Sequence, residues 1–394
     1  MTENTALRSR LNRWQWLALL VGLGGGLLCV LGYVQNPTQF FRSYLMAYLF
    51  WLWLTVGCLA ILMLHHLAGG AWGMLIQRLL EAGTRLLPLM AVLVVPLVFG
   101  VHDLYIWARP GDAGGHETAQ FRHVYLQLPF FWWRAGFYFV VWLALAYFLN
   151  RWSRQQEQTQ DAAVVRSRRR RLALLSGGGM VLYGLTVTFA AVDWMMSLEP
   201  HWFSTIYGFL VISGQLVAAM AFAIGMAGWL ADVEPLASVM SLGYVNDLGN
   251  LLLAFVMLWA YCAFSQLLIM WSGDLPEEIQ WYLHRSHGGW NGLRLLLLLF
   301  HFAVPFFLLL SRGIKGQVRF LSLVAATLFV THVLDIYWLV MPAFFPEQLH
   351  IHWLDLVALL SLGGLWLALW MWQLKRRSLL PFHEPRLQEV MQHG

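Results

Sequence analysis

Ten stretches of about 20 apolar residues recur along the chain, at roughly 14–34, 43–65, 85–102, 129–149, 171–197, 205–230, 247–271, 290–310, 320–342 and 352–373. At about 1.5 Å of rise per residue, each is long enough to cross a hydrocarbon core of about 30 Å as a helix. The pattern predicts an all-α polytopic membrane protein forming a single integral membrane domain over 1–394. The third stretch carries Pro88 and Pro96, which membrane helices tolerate when neighbours satisfy the freed carbonyls. The first follows Arg8, Arg10 and Arg13 and is too long for a signal-peptide core, so it reads as a span. Spans 2–5 and 6–9 start on the same side, which suggests two four-helix groups, although no convincing sequence repeat accompanies them.

Composition agrees. Hydrophobic residues make up 59% of the 394 and charged residues 11%, where a soluble domain carries about a quarter. The net charge of +5 is a topology signal rather than a nucleic-acid one. Of the 25 Lys and Arg, 19 fall at the N-terminus, the C-terminus and the loops after spans 2, 4, 6 and 8. The remaining six are Arg42, Arg109, Arg122, Arg134, Arg285 and Arg294. The positive-inside rule therefore places both termini in the cytoplasm, with the other face towards a bacterial periplasm or its equivalent. The run from Arg166 to Arg171 is first an anchor of that topology, and second a docking site for an acidic partner. Cys29, Cys58 and Cys262 sit singly in apolar runs, with no C-x-x-C pair for c-type haem or a cysteine-held cluster.

Ionisable groups inside apolar runs are costly, by about 2.5–3.5 kcal/mol each on insertion scales, and mark candidate chemistry. Helical rise puts Asp193 about 6 Å, Asp335 about 10 Å and Asp355 about 5 Å from the outer ends of their spans. His301 and His332 come out near 15 Å. His332 and Asp335 are three apart and share a helix face. These five are candidates for a proton path or a quinone pocket opening outward, since His titrates near neutrality and burial raises Asp towards it. The competing reading is of satisfied polar groups gluing helices. His65 and His66 read as helix-end residues. His301 and His332 at matching depth also raise a bis-His haem, which Asp335 one turn from His332 disfavours. Tryptophans near span ends form an aromatic belt.

Two outer connections stand out. One reads DWMMSLEPHWFSTIYG at 193–208; the other runs from WSGDLPEEIQWYLHR at 271 to GGW at 290. In the second, Asp274 suits a helix cap, Pro276 the first turn, and Ile279, Trp281, Tyr282 and Leu283 an interfacial helix. Residues 103–128 form a long polar loop with Asp112, His116, Glu117, Arg122 and His123.

These two strings resemble the F-type (ActF) membrane subunits of bacterial alternative complex III, a quinol:cytochrome c oxidoreductase, and through them the NrfD and polysulfide-reductase membrane-anchor family. The resemblance covers nearly the whole chain. It implies two four-helix bundles plus extra helices, and no metal or covalently bound cofactor. It also implies a second NrfD-like membrane subunit, a periplasmic iron–sulfur subunit and haem c subunits as partners, with lipids around and no nucleic acid. Glu199 and His201 fall in the first motif; Glu277, Glu278, His284 and Arg285 fall in the second; Arg294 follows it. The expectation is a cofactor-free subunit of a quinol-oxidising complex that passes protons, with quinol as a ligand. A secondary transporter and a purely structural anchor for electron carriers are the alternatives.

Overall fold

The computed structural model describes residues 3–109, 125–159, 161–234 and 242–378. These are helical, with no strand among them. Among the described residues, ten helices are long and apolar enough to cross a membrane, as the hydrophobic pattern requires. Most of the 103–128 loop lies outside the described residues.

Helix α1 (Glu3–Gln35) and α2 (Pro37–Ala68) are separated by Asn36, whose side chain accepts from Gln39 N and caps α2. Helix α3 (Ala71–Thr84) continues through short helical segments to Phe99. Then come α4 (Leu128–Glu157), α5 (Ala162–Trp194), α6 (Tyr207–Trp229) and α7 (Leu242–Gly273). The short α8 (Pro276–His284) leads to α9 (Trp290–Leu297), which runs on through a π-helical turn to Leu310. Helices α10 (Val318–Val340) and α11 (Trp353–Leu374) complete the chain.

Neighbour relations sort the spans into two groups of four. Helix α2, the third span, α4 and α5 pack together, as do α6, α7, α9 and α10; the groups meet where α6 lies against α2 and α5. Helix α2 is the axis, with every residue of its most apolar window buried. Helix α1 is the most peripheral span and packs on α11. That seam is built from small residues. A Cβ on Gly22 would lie 2.7 Å from Leu365 N, and one on Gly364 would lie 2.4 Å from Gly22 N. Ser361 Oγ donates to Gly22 O at 3.0 Å. Hydrocarbon offers helices no hydrophobic drive to associate, so close backbone approach through Gly and Ser supplies it.

Two local expectations are corrected. The third span begins at Trp72 rather than near 85, because Gly69 and Gly70 (φ 67° and 98°) turn the chain straight after α2. Arg78 and Arg85, expected in a loop, are therefore inside a span, where Glu81 sits between them. The cap of α8 is Leu275, with no side-chain capping bond, and Asp274 instead takes the left-handed conformation at φ 46°.

Candidate functional site

The candidates expected in the outer half fall into four separate places. The deepest contains His301, His332 and Asp335, which are 0%, 1% and 4% exposed. One donor atom from each lies within 4.8 Å of the others. His332 Nδ1 is 3.5 Å from Asp335 Oδ2, as their three-residue spacing on α10 anticipates. The Trp259 indole N–H donates to the same Asp335 oxygen at 3.2 Å. His301 Nδ1 meets Thr331 Oγ1 at 2.8 Å, while that hydroxyl donates back to Thr327 O at 2.9 Å. With the hydroxyl proton so committed, His301 Nδ1–H is the donor and its Nε2 is left as a bare acceptor. Among the described residues, His301 Nε2 and both His332 nitrogens are buried without a hydrogen-bond partner. Unpaired buried imidazole nitrogens are unusual and call for an explanation.

The main chain places His301 in a π-helical turn, Leu298–Ala303. Pro305 stands four residues on and has no N–H, so it cannot bond the His301 carbonyl in the α pattern. Such turns inside helices recur at functional sites. The His301 and His332 rings lie nearly parallel with centroids 5.8 Å apart, and Trp259 meets His301 edge-on at 4.5 Å.

Beside the triad lies a cavity of about 620 Å³ between α6, α7, α9 and α10, with Tyr282 of α8 also in its lining. Its lining includes Asp335, Trp338, Gln266 and Arg294 among apolar side chains. Tyr261, Phe264, Leu295 and Leu298 of that wall are themselves about half exposed or more, so the cavity opens sideways to the lipid-facing surface. Asp335 and Trp338 stand one turn apart on α10, and the Trp338 indole N–H is buried without an acceptor among the described residues. An acceptor carboxylate and an unused donor thus share one helix face bordering the cavity.

Asp193 is elsewhere. Arg134 grips it with two parallel bonds, Nε to Oδ2 and Nη2 to Oδ1, both 2.8 Å, and Tyr138 donates to Oδ2 at 2.8 Å. Its carboxylate is fully buried, and the Arg134 guanidinium rests 3.9 Å from the Tyr125 ring centroid. Asp355 is also local: it closes a capping box with His352 at the start of α11 and accepts from Ser43 Oγ at 2.5 Å.

The fourth place joins the two outer motifs. Glu199 pairs with Arg285 Nη2 at 2.8 Å and with His284 Nδ1 at 3.2 Å. Arg285 is fully buried, stacked 3.7 Å over Trp281, and donates to the Trp338 and Leu339 carbonyls at the end of α10. Trp281 in turn stacks on Trp202 at 4.7 Å. Burial pushes the Glu199 carboxyl up, but Arg285 and His284 outweigh it and hold it below the ordinary glutamate value. His201 is exposed, Glu278 is half-buried, and the Glu277 side chain lies outside what is described. Arg294 borders the cavity, with Nη2 donating to Asn291 at 2.6 Å. His65 and His66 end α2, apart from the triad.

Sequence reasoning did not single out Arg134, Trp259, Thr331 or Trp338. Arg134 left a usable signal, since it sits about as far inside span 4 as Asp193 sits inside span 5, with opposite charge. Pro305, four residues after His301, was another. Trp338 left none, because a belt tryptophan and a cavity donor are the same residue type. Comparison with protein-family models and with curated proteins finds no match to the chain.

Proposed function

We propose that this integral membrane protein is the cofactor-free subunit of a quinol-oxidising complex, and that the cavity beside Asp335 receives the quinol ring. The observation that carries this reading is the pairing of Asp335 with the unused Trp338 donor on a cavity open to the lipid side. A quinol reaches its site through lipid, needs an apolar slot for ring and tail, and must lose protons as well as electrons. Mostly apolar pockets with a few aimed polar groups are what such a ligand needs. Asp335 accepts the proton of one ring hydroxyl, and the Trp338 N–H steadies a ring oxygen. His332 and His301 stand behind Asp335 with bare nitrogens that take the proton onward. Quinol oxidation releases two protons and two electrons; Asp335 takes the two protons in turn, passing the first to His332 before the second arrives, and the electrons leave to redox centres held by partner subunits on the arginine-poor, outward face. The resemblance of residues 193–208 and 271–290 to F-type subunits of alternative complex III supports the same assignment. A transporter needs access to the triad from both faces, and the cavity that borders Asp335 opens sideways.

The test is Asp335→Asn in the purified complex, assayed for quinol-dependent reduction of the acceptor. Losing a positioned proton acceptor lowers turnover by about a hundredfold or more. Intact assembly with unchanged turnover and proton release overturns the reading.

A further inference from the structure

The arginine-rich face carries a second cavity, of about 660 Å³, bordered by Arg85, Arg151, Arg154, Asn150 and Arg377 and by Pro88, Leu143, Ala146 and Tyr147. Its charges do not balance. Glu81, only 1% exposed, is shared by Arg78 at 2.7 Å, Arg377 at 2.9 Å and Arg85 at 3.5 Å. Glu157 pairs with Arg78. No carboxylate among the described residues pairs with Arg151 or Arg154, so five guanidiniums face two carboxylates. Among the described residues, Arg151 has only the Tyr147 hydroxyl, at 2.6 Å. Arg377 feels the excess: burial and the charges of Arg78 and Arg154 push its guanidinium below the ordinary value against the pull of Glu81. The lining is also graded. From Leu143 to Arg154 is eleven residues of α4, about 16 Å, running from an apolar floor to a ring of arginines. Tyr147 and Phe148 on that stretch are about half exposed towards the lipid side.

We infer that this cleft is a site for one anionic phospholipid, its phosphate among Arg85, Arg151, Arg154 and Arg377 and its glycerol and upper acyl chain against Pro88, Leu143 and Tyr147. Basic pockets between membrane helices on the positively charged side hold such headgroups. The grading favours a lipid over a soluble anion, which has no use for the apolar floor. It also favours a lipid over an acidic protein segment, which would have to enter hydrocarbon.

The experiment uses the full chain in phosphatidylcholine nanodiscs carrying a small fraction of phosphatidylglycerol, with retained lipid counted by native mass spectrometry after detergent release. The wild type is expected to keep one phosphatidylglycerol in preference to phosphatidylcholine. Arg151→Ala with Arg154→Ala, both at exposed positions, is expected to weaken retention by roughly 25-fold, about fivefold per arginine. The two Lys replacements are expected to restore most of it. Equal retention of the two lipids overturns the inference, as does an Ala pair that retains phosphatidylglycerol like the wild type. Full displacement by millimolar inorganic phosphate, or by an acidic peptide at the same concentration, overturns it in favour of those occupants. A thermal shift measured on each variant shows that it is folded.

Discussion

Asp193→Asn gives the sharpest division between structure and chemistry in this protein. The wild-type carboxylate takes two bonds from Arg134 and one from Tyr138 in a setting with no exposure of Asp193 and 6% of Arg134. Asparagine keeps the shape but not the charge, and its amide offers one acceptor oxygen where two were used. At least one of the three donors then faces an NH₂, and Arg134 becomes a buried cation without a counter-ion. Breaking a buried pair from one side costs about 3–5 kcal/mol. Equilibrium unfolding in mixed micelles reads this directly, alongside turnover of whatever complex assembles. Asp193→Leu combined with Arg134→Met is expected to recover most of the loss, since a well-packed apolar pair replaces an ion pair at little cost. A double-mutant cycle with Arg134→Met isolates the coupling. The reasoning fails if Asp193→Asn is as stable as the wild type yet turns over slowly. Asp193 would then be a proton carrier and its pairing with Arg134 incidental.

Trp338→Phe keeps the ring and deletes only the unused N–H, so under the proposed quinol reading it is expected to raise the quinol KM by about tenfold with stability unchanged; an unaltered KM removes Trp338 from the proposed site. Gly214→Ala puts a Cβ 2.8 Å from His332 Cε1, and the ring cannot swing away from an enclosed position. About 1–3 kcal/mol of destabilisation, with slowed turnover, is expected in the same unfolding assay. Because the Glu199 pKa is depressed in the folded protein, its bond to Arg285 stabilises at pH values above the ordinary glutamate range. That contribution is lost as pH falls through the lowered value. Thermal stability is therefore expected to drop below about pH 4.5 in the wild type and to lose that acid limb in Glu199→Gln. Glu81→Gln leaves three buried or half-buried arginines around a neutral amide, and is expected to destabilise the arginine-rich end by about 3 kcal/mol or more.

Much of this architecture is written in one dimension. Ten apolar runs of bilayer length fix ten helices, because backbone polar groups in hydrocarbon must be satisfied within the segment. The i,i+3 spacing of His332 and Asp335 fixes their shared face, since helix geometry is local. The third span was misplaced because Arg78, Glu81 and Arg85 look like loop residues until the charges are seen to neutralise one another. Which buried acid is glue and which is poised for chemistry was beyond the sequence. Asp193 and Asp335 look alike in the chain, at similar depths in outer halves. Only the packing of α4 against α5 hands Asp193 an arginine, and only the gap between α7 and α9 leaves Asp335 beside an open cavity. That choice depends on contacts between residues tens to hundreds of positions apart, which helix rotation and tilt set and no local pattern encodes.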